Sequence, residues 1–313
     1  MLQETVARVV PPVARTRVLV VTGRAHAPSV RRQLPALPSG SILVEPQARN
    51  TAAAIALAAT HLARRAPDAV MAVLPADHAI GNLPAFRADL GLALDVAERT
   101  GALVTIGVPP THPETGYGYV RTGPPLAGTR GRAAHVEAFI EKPDRARANA
   151  LLAEGDVLWN SGIFAWRVDV ILRELRAHLP AVVGPLEAAG GRGLARAFRR
   201  LPAISIDHGV LEHAEHVAVV RARFTWSDVG SWAAVAAHWS GGNGRNALRG
   251  RAVPIDSHGC LVDSPDRLVA LLGVDDLVVV DTPDAVLVCR KDRAQDVRLV
   301  VEELRRRGLQ RYL

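Results

Sequence analysis

At 313 residues, with 49% hydrophobic and 22% charged positions, the chain has a globular composition and the length of one large or two ordinary domains. Its formal net charge of +7 is carried by scattered arginines, and aromatics at 4% are too few for the stacking platforms of a nucleic-acid binder. Apolar runs such as AAAIALAA (52–59) are too short for a bilayer, MLQETVARVV is no signal peptide, and Cys260 and Cys289 make neither a disulfide framework nor a metal motif, so a cytoplasmic protein is expected.

Residues 2–10 read as the end of a helix, with Leu2, Val6 and Val9 or Val10 on one face. RVLVVTG (17–23) reads as a buried strand and is followed by a helix near 27–34. SILVE (41–45) is a second strand, and TAAAIALAATHLARR (51–65) a helix capped by Asn50 or Thr51. AVMAVLPAD (69–77) is a third strand, ending in an acid; a helix near 84–100 and the strand ALVTIGV (102–108) follow. Apolar strands alternating with helices predict a parallel α/β sheet. Farther on the pattern is mixed, with strands near 117–122, 133–140, 162–166 and 216–225 and helices near 144–154, 168–178 and 230–239. SGGNGRN (240–246) reads as a linker. After it, short strands crowd together up to a closing helix near 292–307, which suggests a small β-rich, solenoid-like region without an exact repeat. The expected domains are therefore 1–240 and 247–313.

A phosphate-binding loop needs a Gly-Lys pair, and neither lysine, Lys142 nor Lys291, follows glycine. VLVVTGRAHAPSV has one glycine where a dinucleotide turn has three. Six other stretches carry candidate chemistry, each with a plainer alternative. Asp77 in LPADH sits where a strand ends, the edge at which α/β sheets bind ligands; it is a candidate magnesium ligand or simply a turn former. Asp228 in FTWSDVGSW is a second candidate ligand or a helix cap. Gly118 in ETGYGYV lets backbone approach a ligand, or marks a bulge. Asn160 in LWNSGIFAW can donate and accept to vicinal hydroxyls, or sit in a turn. Asn50 and Thr51 open a helix, where free amides favour anions or ordinary caps. Lys142, beside Glu141 in FIEKPD, is a point charge suited to one phosphate oxygen, or a solvated lysine.

Taken together and in this order, EPQARNTAAA, LPADH, PETGYGYV, FIEKPD, WNSGIFAW and FTWSDVGSW resemble the mannose-1-phosphate guanylyltransferases, also called GDP-mannose pyrophosphorylases, of the sugar-nucleotidyltransferase superfamily. The likeness runs from about residue 2 to the C-terminus, where VVDTPDAVLVCRKDRAQDV (279–297) is similar to the end of short, single-function members. The resemblance implies a Rossmann-like, GT-A-like nucleotidyltransferase domain with a mixed central sheet. It implies GTP and mannose 1-phosphate as substrates, Mg2+ as the metal, and attack of the sugar-phosphate oxygen on the α-phosphorus with loss of pyrophosphate. By resemblance Asp77 and Asp228 share the metal and Lys142 meets the sugar phosphate. Glu141, Gly118 and Asn160 bind the sugar, and Asn50 and Thr51 lie near the nucleotide. The C-terminal region is a candidate homodimer contact.

The family pattern opens with a strand, a glycine-rich loop with a catalytic arginine, and a Pro-Lys-Gln segment; MLQETVARV resembles the helix after them. The chain is therefore expected to be a partial member. The strands near 17–22 and 69–74 should then lack a shared neighbour. A catalytically inactive sugar-phosphate-binding or regulatory homologue is the alternative function.

Overall fold

Apolar runs bounded by glycine, proline and polar turns give the strands, and runs of alanine and leucine give the helices between them. A computed structural model describes residues 1–10, 12–189, 193–230, 232–240 and 245–312. The contacts divide the chain into two compact units, Met1–Trp226 and Ser227–Leu313. Most of the expected linker, at 241–244, lies outside the described residues.

The first unit contains strands β1 (Val20–Gly23), β2 (Ile42–Glu45), β3 (Val70–Val73), β4 (Ala79–Ile80), β5 (Leu103–Val108), β6 (Tyr119–Pro125), β7 (Ala133–Ile140), β8 (Val157–Arg167) and β9 (Val217–Arg221). Its principal helices are α1 (Leu2–Val9), α2 (Ala27–Gln33), α3 (Asn50–Ala63), α4 (Leu83–Thr100), α5 (Arg145–Glu154), α6 (Val168–His178), α7 (Pro180–Ala188) and α8 (Leu194–Phe198). Six strands form the main sheet in the order β3-β8-β5-β9-β7-β6.

The fully parallel sheet expected for the N-terminal half does not form. β8 is long enough to lie between β3 and β5 and pairs antiparallel with both, while β5 and β9 run parallel. Alternate residues of β5 enter opposite layers. Leu103 packs with Ile55, Ile171, Leu175 and Val182 from α3, α6 and α7, whereas Val104 and Ile106 pack with Phe86, Leu90 and Val96 of α4. That two-sided burial is why β5 reads as one continuous apolar run. Within α4, fully buried Asp89 holds the guanidinium groups of Arg132 and Arg223 and accepts from the Arg223 backbone N–H.

Strands β1 and β2 pair parallel to each other in a separate two-stranded sheet. Both are half-buried throughout, so the buried strand expected at 17–23 is shorter and more exposed. β1 and β3 lie in different sheets. Helices α7 and α8, and a π-helical turn at Asp207–Leu211, were not foreseen.

The second unit has β10 (Trp226–Ser227, at the boundary), β11 (Ala247–Ile255), β12 (Leu261–Leu272), β13 (Leu277–Asp281) and β14 (Val286–Arg290), with helices α9 (Trp232–Ser240) and α10 (Val297–Arg306). β11, β12 and β13 stack in parallel and β14 returns antiparallel. Partners in successive layers recur 17 residues apart, as in His258 with Asp275 and Ser264 with Asp281. This is a solenoid-type stack whose repeat lies in spacing, not in residue identity. Lys291 donates to the Gly259 carbonyl and fastens the last strand's end to the stack. Among the described residues no helix is long and apolar enough to cross a membrane.

Candidate active site

Strand β8 carries Asn160 into the middle of the main sheet. The residue is nearly buried and lies within the strand, so the turn expected there does not exist. Its backbone N–H donates to the Gly118 carbonyl at 2.8 Å. Its side-chain Oδ1 accepts from the Thr105 hydroxyl at 2.8 Å and from the Gly162 N–H at 3.2 Å. One hydrogen on Nδ2 goes to Asp207 Oδ1 at 2.8 Å. The carbonyl of the amide is thereby used up, and one N–H remains for a ligand. Sequence reasoning gave this asparagine both roles; the structure leaves it a donor.

Glu141 and Lys142 directly follow β7. A Cβ added to Gly118 would stand 2.7 Å from Glu141 Oε2 and 3.4 Å from Asn160 Cβ. Glycine at 118 leaves room for the carboxylate in this position, and its carbonyl already serves β8. Glu141 is 15% exposed and Lys142 61%, with 3.1 Å between Nζ and Oε1, so the ammonium is anchored yet open to solvent. Lys142 has φ +46, a strained conformation for a side chain with a Cβ. The Glu141 N–H donates to Glu212, which also pairs with His208. Burial, followed by the nearby charge of Glu141, pushes the Asp207 carboxyl up to about 6.

A row of edge-to-face rings ties the motifs together: His112 on Trp159, Trp159 on Tyr117, Tyr117 on Trp226, and Trp226 on His78. Trp226 Nε1 also donates to His78 Nδ1 at 3.0 Å. Four stretches remote in sequence therefore meet along one rim. Asp77, next to His78, is exposed and makes no ion pair or hydrogen bond with another described residue. In the second unit, Asp228 Oδ1 accepts from the Gly230 N–H, and Val229 between them has φ +50, rare for a β-branched residue. Asn50 has φ +64 and its Oδ1 accepts from the Thr51 N–H, while the Thr51 hydroxyl accepts from the Ile206 N–H at 2.8 Å. The helix cap expected there is replaced by a clasp onto the segment leading to Asp207.

The nucleotidyl transferase family pattern matches residues 1–239, and that of the mannose-phosphate isomerase/GMP-like beta-helix domain matches 250–304. A mannose-1-phosphate guanylyltransferase of Klebsiella pneumoniae is 39% identical over 100% of this chain and 68% of its own length. This chain belongs to the mannose-1-phosphate guanylyltransferase family. The alginate biosynthesis protein AlgA of Pseudomonas aeruginosa is 39% identical over 93% of this chain and 62% of that protein. The chain thus spans about two thirds of the curated relatives it matches. A Thermus thermophilus crystal structure described as a mannose-1-phosphate geranyltransferase superposes with a TM-score of 0.88 at 37% identity, covering 97% of this chain and 89% of that one.

Thr105, Asp207 and Glu212 are the neighbours of Asn160 and Glu141 that sequence reasoning did not single out. Thr105 lies inside an apolar strand and reads as a core position. Asp207 lies in ISIDHGV (204–210), whose π-helical turn has no simple periodic signature, although such turns often mark functional sites.

Proposed function

We propose that this chain transfers a guanylyl group from GTP to mannose 1-phosphate. A phosphate oxygen of the sugar phosphate bonds to the α-phosphorus, the bond from that phosphorus to the bridging oxygen breaks, and pyrophosphate leaves with its electrons. The observation that carries this reading is one cluster holding a half-shielded carboxylate, a single free amide N–H and an anchored, solvent-facing ammonium. Glu141 accepts from sugar hydroxyls, the Asn160 N–H donates to one, and Lys142 Nζ lies against the sugar phosphate. Gly118 keeps the floor open beneath the sugar. The exposed start of α3, with Asn50 and Thr51, faces the nucleotide.

Asp77 and Asp228 offer hard oxygen donors, and Asp77 is not engaged by any described residue. No group of three or more potential metal ligands occurs among the described residues. Two carboxylates suit Mg2+, which keeps several waters and completes its shell with phosphate oxygens. Each is proposed as a ligand to the ion, which when bound neutralises charge on the phosphates. Pyrophosphate release from GTP, dependent on mannose 1-phosphate, tests the activity; binding of the sugar phosphate without release would identify an inactive binding homologue instead.

The catalytic body is assigned to 1–240 and the β-rich region to 247–313, and the protein to the cytoplasm. A second copy of the chain is assigned to the β-rich region's apolar surface. There Ile255 and Leu272, neighbours across β11 and β12, are 52% and 71% exposed, and no residue of α10 is buried. Sedimentation should give a dimer mass that falls to that of the monomer in Ile255→Lys/Leu272→Lys; an unchanged mass would remove the assignment.

A further inference from the structure

The Asn160 amide is held from three directions. Turning it over would set Nδ2 against the Gly162 N–H and Oδ1 against the Asp207 carboxylate, so only one orientation satisfies the network. An asparagine at position 207 would accept the same hydrogen without placing a charge in a partly buried position beside Glu141. The hydrogen bond alone therefore does not require an acid here. Folding in fact works against the ion, since burial and the Glu141 charge both favour the neutral form. The Asp207 and Glu141 carboxylates repel each other until donors come between them.

We propose that Asp207 determines sugar specificity: with Glu141 it makes a pair of carboxylate acceptors about the free N–H of Asn160, and the three groups together read vicinal hydroxyls of the bound sugar. This deepens, and rests on, the reading of the cluster as a sugar-phosphate pocket. Hydroxyl donors satisfy both acceptors and relieve their repulsion, which an apolar or a second anionic ligand does not. The charged groups facing Asp207 are Glu141 and Lys142 from the end of β7. On its own turn His208 and Glu212 are paired with each other at 2.6 Å.

The test is calorimetric titration of the full chain with mannose 1-phosphate and, separately, with GTP at pH 8, for wild type and Asp207→Asn. Thermal melts at pH 8 and pH 4 accompany it. The variant should bind mannose 1-phosphate about 10-fold or more weakly, the loss of a hydrogen bond to a charged acceptor. GTP affinity should stay within about 2-fold, well under the roughly 10-fold that one hydrogen bond to a charged group can carry. A carboxyl whose folded pKa of about 6 exceeds its unfolded value, near 3.9, subtracts stability above about pH 6. That loss fades as pH falls toward the unfolded value. The variant should therefore melt higher than wild type at pH 8, by about 2–4 °C, and lose that advantage by pH 4. His208→Gln, melted in parallel, removes the neighbouring imidazole as a source of the pH effect. Unchanged sugar-phosphate affinity in Asp207→Asn overturns the inference. A lower melting temperature with both affinities weakened also overturns it, since that is what a purely structural acid would show. Wild type that binds no mannose 1-phosphate would overturn the pocket reading itself, and this inference with it.

Discussion

Asp77→Asn is expected to lower kcat/KM for guanylyl transfer by about 10²–10³-fold, the range seen when one electrostatic contact to developing charge is removed. Its melting temperature should stay within about 1–2 °C of wild type, because exposed residues away from packing features seldom change stability by more than about 0.5 kcal/mol. The separation follows from where Asp77 stands. It is exposed, it follows the half-buried end of β3, and no described residue engages its carboxylate. Nothing in the fold depends on that charge, so the fold does not explain its presence at a strand's C-terminal edge. A cation there does, as the amide of asparagine replaces an anionic oxygen donor by a neutral one. The Mg2+ concentration for half-maximal activity should rise in the same variant. Wild-type turnover and wild-type Mg2+ dependence in Asp77→Asn would remove Asp77 from the metal site. Glu141→Gln gives the contrasting pattern, with weaker mannose 1-phosphate binding and unchanged Mg2+ dependence.

The two variants act on residues that could be found in the sequence for different reasons. Asp77 was legible because a long apolar run ending in an acid has few structural uses. Glu141 and Lys142 gained meaning only from the company of the other motifs, as each is an ordinary surface residue when read alone. The strands of the main sheet were legible within a few residues, since two-sided burial leaves an unbroken apolar run. Their order was not. Whether β3 and β5 meet each other or both meet β8 depends on a pairing about 50–100 residues away in the chain, which local patterning does not record. Asn160 shows the same limit at the scale of one side chain. Its amide could be predicted to bind hydroxyls, but the partners that consume its carbonyl, Thr105 and Gly162, are set by the register of β8 against β5 and by the local path of the strand. The 17-residue period of the β-rich unit was hidden because solenoid layers conserve the direction of side chains and not their identity.

Asp89 shows what local reading misses in stability, and Asp89→Ala should be the most destabilising single change in the first unit's polar interior. FRADLG (86–91) looks like an exposed charge pair on an amphipathic helix, yet Asp89 is fully buried. Its Oδ1 accepts from Arg223 Nε at 2.9 Å and its Oδ2 from the Arg223 backbone N–H at 2.8 Å, and Arg132 binds the same carboxylate. Removing one partner of a buried ion pair costs about 3–5 kcal/mol, because the other is left without compensation. Here Arg132 and Arg223 are 33% and 49% exposed and can turn partly to water, which places the loss near the lower figure. About 3 kcal/mol corresponds to a fall in melting temperature of about 6–12 °C for a unit of this size. The effect should also reach the site. Arg223 follows β9 and precedes Thr225, whose carbonyl accepts from the Gly81 N–H, and Trp226, which leans on His78. Loosening this anchor frees the segment that completes the aromatic row, so sugar-phosphate binding should weaken before the unit melts. Asp95→Ala is the control on the same helix, where the pair with Arg99 is half-exposed and worth about 0–1 kcal/mol. A melting temperature for Asp89→Ala no lower than that of Asp95→Ala would show that the buried carboxylate does not anchor this face.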